Sequence, residues 1–450
     1  MAKLSTNPIE FIHSLNYDDL ASNIVHDLKR SIIDTIAVGA AGRHTGCAKA
    51  TIAFAVENFG ATNQNEQFRL MFGKNRTSLP GCLLANAMMI DSFDAHDTDS
   101  PTKGHIGVVV VPAVMAMNSL NPTMSGKDFI ANTAVGYEIG QRAGYALHTT
   151  VPDYHTSGSW NSLAVAAVIA RSKGFSHAVT REALGIAEYY GPRSQMMRCI
   201  EFPTMVKDGS GWGAMVGASA ALLAEKGFTG APAITVESDK VKHIWANLGQ
   251  HWASGEQHFK AYPICYWAHS AMASMRDLLA NHSLKPSEIQ QINVYGFYYS
   301  TQLHTVAPQT TEQAQYSLPY PLACLIVRGK CGIAEVTQPE VFTDPEILAI
   351  SRKVKLNLKQ EYEDVHDAGK RYCHVEILLT NGTLLKGRRM EPWGMRLGVP
   401  GPITDEQLDE KCMEYLKTQM SESDAKALMK SLWSLENVQN VMDVFKVIYK

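Results

Sequence analysis

Apolar residues recur at helical spacing through the first half of the chain, and Ala and Gly fill many of the positions between them. This period predicts amphipathic helices that pack closely against one another. The clearest predicted helices are 27–39, 79–90, 124–147, 159–173 and 211–225. In the last of these, Gly213 and Gly217 lie one turn apart, where small residues let a neighbouring backbone approach. We interpret such small-residue stripes as core packing.

The pattern changes beyond about Glu256. Residues 291–300 alternate between apolar and polar, and two β-rich runs within 372–388 are joined by Asn381-Gly382, which predicts a hairpin with a type I′ turn. From Thr404 the pattern is helical again. We therefore predict a mainly α fold: a large all-α domain built from both chain ends, 1–255 and 393–450, carrying an inserted smaller α+β lid domain, 256–392.

Composition narrows the functional classes. The chain has 450 residues with 45% hydrophobic content, which suffices for a large buried core. Its 41 basic and 44 acidic residues give a net charge of −3 without a basic stripe, so we expect no nucleic-acid partner. The longest apolar run, 106–117, is too short to span a membrane and contains Pro112. We expect no membrane association.

The expected location is the cytoplasm, with an organellar matrix as a second possibility, because residues 1–10 lack the pattern of a signal peptide. The chain holds eight scattered cysteines with no CxxC pair and no zinc-binding spacing. We interpret them as buried thiols, which are typical of a reducing compartment.

The most unusual local sequence is 91–99, where nine residues include four carboxylates and a histidine, followed closely by His105. Such groups are costly to bury unless they bind something, and a solvated loop with a helix cap explains them equally well. A metal site is a third interpretation, because Asp94, His96, Asp97 and His105 offer suitable ligands. However, no established metal motif such as HExxH occurs.

Two further segments precede predicted helices. His155 stands before a run of hydroxyl residues, for which an N-cap at Ser157 or Ser159 is a sufficient explanation. Lys207 precedes a glycine-rich helix start, where free backbone N–H groups and the helix dipole attract anions.

The remaining two segments lie in the later part of the chain. Lys260 begins Lys-Ala-Tyr-Pro-Ile-Cys, with His269 beyond it, where the helical pattern changes to a β pattern. Clefts are common at such domain junctions. A run rich in tyrosine ends at Tyr320, which a buried core tyrosine with a satisfied hydroxyl explains equally well.

Taken in order, these five segments resemble the MmgE/PrpD family. Its Asp-x-Asp-Asp-Thr segment is similar to 94–98, with His96 at a position that is usually a carboxylate. The resemblance implies an all-α domain with an α+β lid, a cleft between them, a homodimer, and chemistry without an organic cofactor or metal. By the same resemblance, the catalytic residues are His105, His155, Asp94 and Tyr320, and the substrate-binding residues are Thr98, Lys207, Lys260 and His269.

The preferred interpretation is a cofactor-independent lyase for a small di- or tricarboxylate, performing dehydration of the 2-methylcitrate type. The alternatives are decarboxylation of the cis-aconitate type, epimerisation of an imino- or amino-dicarboxylate, and a non-catalytic carboxylate-binding homologue. All three reactions create negative charge next to a carboxylate, so they need cations and an acid or base that titrates near pH 7. Histidine and lysine supply these groups. A metal-dependent lyase is the remaining rival.

Overall fold

The structure, a computed structural model, describes residues 4–61, 63, 67–366, 369–392 and 403–450. The domain boundary predicted at 393 lies outside these residues. The first half of the chain contains α1 (Pro8–Ser14), α2 (Ser22–Gly42), α3 (Gly46–Asn58), α4 (Leu79–Asp91), α5 (Gly107–Asn118), α6 (Gly126–Thr150), α7 (Gly158–Ser172), α8 (His177–Tyr190), α9 (Met197–Glu201) and α10 (Ser210–Glu225). A two-stranded hairpin, β1 (Phe68–Arg69) and β2 (Arg76–Thr77), precedes α4.

The second half contains shorter helices around a sheet. Its helices are α11 (Ile234–Glu237), α12 (Lys242–Trp245), α13 (His269–Asn281), α14 (Tyr298–Thr301), α15 (Thr311–Gln315), α16 (Pro319–Arg328), α17 (Ile333–Thr337), α18 (Pro339–Phe342), α19 (Pro345–Ser351), α20 (Gln360–Glu363), α21 (Asp405–Leu416), α22 (Glu422–Trp433) and α23 (Val441–Phe445). Its strands are β3 (Ile289–Gly296), β4 (Val354–Leu358), β5 (His374–Leu379) and β6 (Leu384–Lys386). The fold is mainly α, as predicted.

The helical core forms where α10 packs against α4, α7 and α8, and α7 packs against α6. The predicted small-residue contact is present. A Cβ added at Gly213 would lie 2.5 Å from the carbonyl oxygen of Gly158, and one added at Gly217 would lie 2.7 Å from Cβ of Val165. Both distances are below van der Waals contact, so only glycine allows α7 and α10 to approach this closely.

The two ends of the chain pack together through α2 and α21. The Lys411 ammonium on α21 lies 2.7 Å from the buried Asp34 carboxylate on α2. Helix α21 begins with the capping box that Thr404 and Gln407 predict, because each side chain bonds the other residue's backbone N–H.

None of the helices in the described part of the chain combines the length and the hydrophobicity that a bilayer crossing needs.

The sheet has the strand order β4-β3-β5-β6, with β3 parallel to β4 and antiparallel to β5. The predicted hairpin is β5–β6, but its predicted type I′ turn is wrong. Among the residues between the strands, only Gly382 has a positive φ, at 85°, whereas a type I′ turn needs two such residues. The Leu379 N–H bonds the Thr383 carbonyl, so the loop has three residues and the glycine occupies its left-handed position.

Candidate functional site

The acidic segment 91–99 connects α4 to the residues before α5, and it is buried. Both helices are apolar and almost entirely buried, so the segment that leaves α4 begins inside the core. The connection reaches solvent beyond this segment, at Pro101. Asp91, Asp94, Asp97 and Asp99 are each at most 3% exposed, and His96 is 0% exposed. The interpretation as a solvated loop is therefore wrong.

Four neighbours fix the backbone position of His105 and surround its ring. Its Nδ1 lies 2.7 Å from the backbone carbonyl of Asp97, which makes Nδ1 the protonated nitrogen of the neutral ring. Its backbone N–H donates to Ser157 Oγ at 3.0 Å. The other ring nitrogen, Nε2, lies 3.4 Å from Oδ2 of Asp208 and 3.9 Å from Oδ1 of Asp94. Nε2 is consequently the atom available for proton exchange.

Lys260 and Asp94 form a buried ion pair beside this ring. Thr98 and His258 exchange two backbone hydrogen bonds, which draws the segment containing Lys260 against the acidic segment. The Lys260 ammonium donates to the carboxylate and lies 3.3 Å from the backbone carbonyl of Asp94. Burial by itself raises the pKa of Asp94. The ammonium groups of Lys260 and then Lys207 lower it by more than burial raises it, so the carboxyl pKa lies well below its usual range.

Lys207 lies in the turn before α10 and acts electrostatically on the same carboxylate. Its Nζ donates to Oε1 of Gln315 at 2.8 Å and lies 4.5 Å from the ring centre of Tyr316. The same Gln315 oxygen accepts the backbone N–H of Asp94 at 2.8 Å. Lys207 has a positive φ of 48°, and the next glycine, Gly209, is left-handed at the N-cap of α10. This tight turn directs the lysine inward.

Burial shifts the protonation of the other acids and imidazoles. It lowers the pKa of His105 to about 4, with further lowering by His96 and Lys260. It raises the pKa of both Asp91 and Asp208, which lie near His105. The imidazole is thus neutral at pH 7 when nothing anionic is bound.

Asp97 belongs to a neighbouring network. Its Oδ2 accepts the hydroxyl of Tyr137 at 2.6 Å, and burial raises the pKa of the carboxyl to about 7. Because the Asp97 backbone carbonyl bonds His105, this network positions the ring. The donor atoms of Asp94, His96 and His105 lie within 4.8 Å of one another, so these three residues could hold a metal ion.

A cavity of about 30 Å³ lies among these groups. Its walls include Asp94, Thr98, His105, Lys260, Tyr316 and Arg371. This volume is close to the share of one water molecule in the liquid, so a polycarboxylate needs the walls to separate. One contact that would have to open is the hydrogen bond from Arg371 to the carbonyl of Ser100, at 3.0 Å.

A second cavity of about 600 Å³ borders Lys207. Its walls are mainly apolar, with Met88, Phe202 and Trp212 among them, and the charged residues among its described walls are Lys207 and Arg198. No carboxylate or histidine occurs among the residues described along its walls. We therefore assign the candidate site to the smaller cavity, where the acid, base and ammonium groups meet.

Four of the predicted site residues do not line this cavity. Lys207 lines the larger cavity, and the other three are Tyr320, His269 and His155. Tyr320 lies on α16, and its hydroxyl donates to the backbone carbonyl of Glu335 on α17 at 2.8 Å, so it links these two helices. The cavity-lining tyrosine is Tyr316, one turn earlier in the chain. His269 is buried behind Lys260, with Nε2 3.3 Å from the carbonyl of Ile264.

His155 is also outside both cavities, although its neighbours Tyr154 and Thr156 each line one of them. Alternation of side chains along the extended segment explains this arrangement, because His155 forms a β-bridge with Gln195. Its ring is buried, and its backbone N–H faces Nε2 of His148 at 3.4 Å. The predicted role of His155 is therefore not part of the site we assign.

Four residues at the site were missed from the sequence. Gln315 and Tyr316 stand in the tyrosine-rich run, so the sequence indicated the segment but pointed to Tyr320, and Tyr316 is the tyrosine that lines the cavity. Asp208 follows Lys207 directly. Arg371 lies far along the chain in a region without any distinctive local pattern, and only the tertiary structure reveals it.

Fold and site together define a mainly helical protein with a buried cluster of imidazole, carboxylate and ammonium groups. Two family models match the chain: the MmgE/PrpD N-terminal domain over residues 9–246 and the MmgE/PrpD C-terminal domain over residues 262–437. The chain belongs to the MmgE/PrpD family.

Named relatives match along almost their whole length. Cis-aconitate decarboxylase of Homo sapiens is 22% identical, covering 95% of this chain and 91% of the relative. Cis-aconitate decarboxylase of Aspergillus terreus is 22% identical, covering 97% and 94%. The Mus musculus protein of the same name is 23% identical, covering 95% and 90%.

Proposed function

We propose that the chain is a cofactor-independent carboxy-lyase that acts on a small tricarboxylate of the cis-aconitate type. The observation that carries this proposal is one buried site where Nε2 of His105 faces the Lys260–Asp94 ion pair and the Lys207 ammonium lies behind it. The names of the relatives favour decarboxylation over the 2-methylcitrate dehydration that the sequence analysis preferred.

The chemistry places two demands on the site. When the C–C bond to the departing carboxylate breaks, its electron pair moves into the adjacent π system and carbon dioxide leaves. Negative charge then develops on the remaining carboxylate, and one proton must be added to carbon. Lys260 and Lys207 stabilise the charge, because ammonium groups act strongly in a buried, water-poor site.

We assign His105 as the residue that transfers the proton to the substrate carbon. Its Nδ1 is committed to the Asp97 carbonyl, so only Nε2 can exchange a proton with a substrate in the cavity. A bound polyanion raises the proton affinity of a nearby imidazole, which favours uptake of a proton together with the substrate. Thr98 and Asp94 line the same cavity and would orient the substrate carboxylates.

Entry of the substrate requires the α+β region, residues 256–392, to move away from the acidic segment 91–99. Arg371 and Trp267 from the α+β region and Lys103 from the acidic side all border the cavity. This supports the lid role proposed for residues 256–392. Separation of these walls would widen the cavity and release the Arg371–Ser100 hydrogen bond.

We also propose that the chain forms a homodimer in the cytoplasm. Phe202, Val206 and Trp212 are 64%, 63% and 49% exposed beside the larger cavity, which is unusual for large apolar side chains in a monomer. Sedimentation equilibrium of the full chain should give a mass of twice 49.5 kDa. A mass of one chain at micromolar concentration would contradict the dimer.

The function is tested by NMR in D₂O with cis-aconitate, citrate, methylcitrate and iminodisuccinate as separate substrates. Release of carbon dioxide from cis-aconitate is the expected result. New vinyl signals from methylcitrate would instead indicate dehydration, and deuterium at an α carbon without loss of substrate would indicate epimerisation. Binding without any of these reactions would support the non-catalytic alternative.

His105→Ala should lower turnover by ~10²–10⁴-fold if Nε2 transfers the proton. His282→Ala is the matched control, because His282 is exposed, and it should retain full activity. Unchanged turnover of the His105 variant would remove this residue from the mechanism. Activity should also survive exhaustive chelation, whereas a loss that Mg²⁺ or Fe²⁺ restores would contradict cofactor independence.

A further inference from the structure

His96 is a buried imidazole whose hydrogen-bonding capacity is largely unused. The ring is 0% exposed, and neither Nδ1 nor Nε2 makes a hydrogen bond of good geometry. The backbone of the adjacent Asp97 is the polar group that interacts with the ring. The nearest carboxylate oxygen, Oδ1 of Asp91, lies 3.7 Å from Nε2, which is too far for a hydrogen bond. Burying a polar group without a hydrogen bond of good geometry is unfavourable, so such a group requires an explanation. A bound metal ion is one such explanation, because imidazole nitrogens are common metal ligands.

Two further candidate ligands lie close to His96. The rings of His96 and His105 meet edge to face with centres 4.3 Å apart, and the Asp94 carboxylate completes the set. All three donor atoms lie within 4.8 Å of one another. The hydrogen bond from Nδ1 of His105 to a backbone carbonyl leaves Nε2 as the donor, and metal-binding histidines are typically held in this way.

The local charges accommodate a cation. The carboxylates of Asp91, Asp94 and Asp208 surround His105, while Lys207 and Lys260 supply two positive charges. Burial raises the pKa of Asp91 and Asp208, and a bound cation would favour their ionised forms. With all three carboxylates ionised and the imidazoles neutral, the cluster has one excess negative charge. Lys260 contacts one carboxylate oxygen of Asp94, Oδ1, and a carboxylate has a second oxygen to offer.

We propose that Asp94, His96 and His105 bind a divalent transition-metal ion of the zinc and cobalt type. Two imidazoles and one carboxylate suit these ions better than Mg²⁺ or Ca²⁺, which prefer oxygen ligands alone. Tetrahedral bonds of ~2.0–2.1 Å place ligand atoms about 3.3 Å apart, so the side chains must move inward by roughly 1 Å. Asp208 lies 3.4 Å from Nε2 of His105 and is the nearest candidate for a fourth ligand.

The ion would inhibit the enzyme. This part of the inference rests on the proposed function, because an ion on Nε2 of His105 occupies the lone pair that the proton transfer needs. Binding itself does not depend on that function, since it uses only residues of the free chain. The two claims can therefore be tested separately.

The binding test adds Co²⁺ to the chelator-treated full chain and records the visible d–d absorption. We expect one equivalent of Co²⁺ to bind, zinc to displace it, and His96→Asn to weaken binding by at least about 100-fold. The matched control is His148→Asn, because His148 is a half-buried histidine outside the cluster, and it should bind as the wild type does. If His96→Asn fails to fold, His105→Asn should show the same loss.

Equal cobalt spectra for wild type and both folded cluster variants would overturn the site, as would the absence of stoichiometric binding by calorimetry. If the chain binds Co²⁺ but turns over none of the four substrates, the metal site stands and the proposed function fails. If the chain is active, saturating Zn²⁺ should abolish turnover and a chelator should restore it. Full activity with zinc bound would overturn the inhibitory role.

Discussion

The Lys260–Asp94 ion pair gives the sharpest test of the assigned site, because its contribution to stability can be measured without a substrate. Lys260→Met keeps the length of the side chain and removes the charge, which leaves the Asp94 carboxylate buried without its main partner. Breaking a buried ion pair in this way costs about 3–5 kcal/mol. We therefore expect the free energy of unfolding at pH 7 to fall by about that amount.

The pH dependence follows from the lowered pKa of Asp94, which burial raises but Lys260 and Lys207 more than offset. An acid whose folded pKa is depressed stabilises the fold above its unfolded pKa, near 3.9, and this contribution is lost as the pH falls. Wild type therefore keeps this contribution down to about pH 4. In Lys260→Met the main lowering partner is gone and burial raises the pKa of Asp94, so the carboxyl takes up its proton as the pH is lowered from 7 towards 4 and the deficit of the variant shrinks.

The assay is urea-induced unfolding of wild type, Lys260→Met, Asp94→Asn and the double variant. The double variant should be more stable than the sum of the single losses predicts, because removal of both charges leaves none unpaired. The matched control is the exposed pair Lys446–Asp443, whose coupling should not exceed about 1 kcal/mol. Additive losses at Lys260 and Asp94 would refute the ion pair as a stabilising element of the site.

Three further predictions concern other parts of the chain. Burial raises the pKa of Asp99 to about 6, so the stability of the fold falls as the pH rises from about 4 to 6. In thermal unfolding, Asp99→Asn should add up to about 3 kcal/mol of stability above pH 6 and nothing below pH 4. An equal effect at both pH values would contradict this prediction. Tyr320→Phe should lose about 1–2 kcal/mol of stability while its kcat/KM stays the same, because its hydroxyl bonds the Glu335 carbonyl. Tyr316→Phe should lower kcat/KM, because Tyr316 lines the cavity. The reverse pattern in steady-state kinetics would favour Tyr320 as the tyrosine of the site. Gly217→Ala should destabilise the chain by about 1–3 kcal/mol, because its Cβ would overlap α7, and a neutral result would show that α7 can shift.

Much of the fold could be predicted because it depends on local periodicity. The five predicted helices appear as α2, α4, α6, α7 and α10, and the strand predicted at 291–300 begins as β3 before the chain turns into α14. The error in the hairpin turn has a local cause. Asn381-Gly382 is compatible with two turn types, and the register between β5 and β6 selects the longer one.

The sequence by itself determined which residue types had to be explained: four carboxylates and a histidine inside an apolar setting, and lysines beside glycine turns. Only the tertiary structure decided which of these groups meet. His105 and Lys260 are brought together by the backbone pairing of Thr98 with His258, while His155 and Tyr320 satisfy other contacts. A local pattern specifies the direction of a side chain relative to its own helix or strand, but proximity between distant segments depends on how those elements pack.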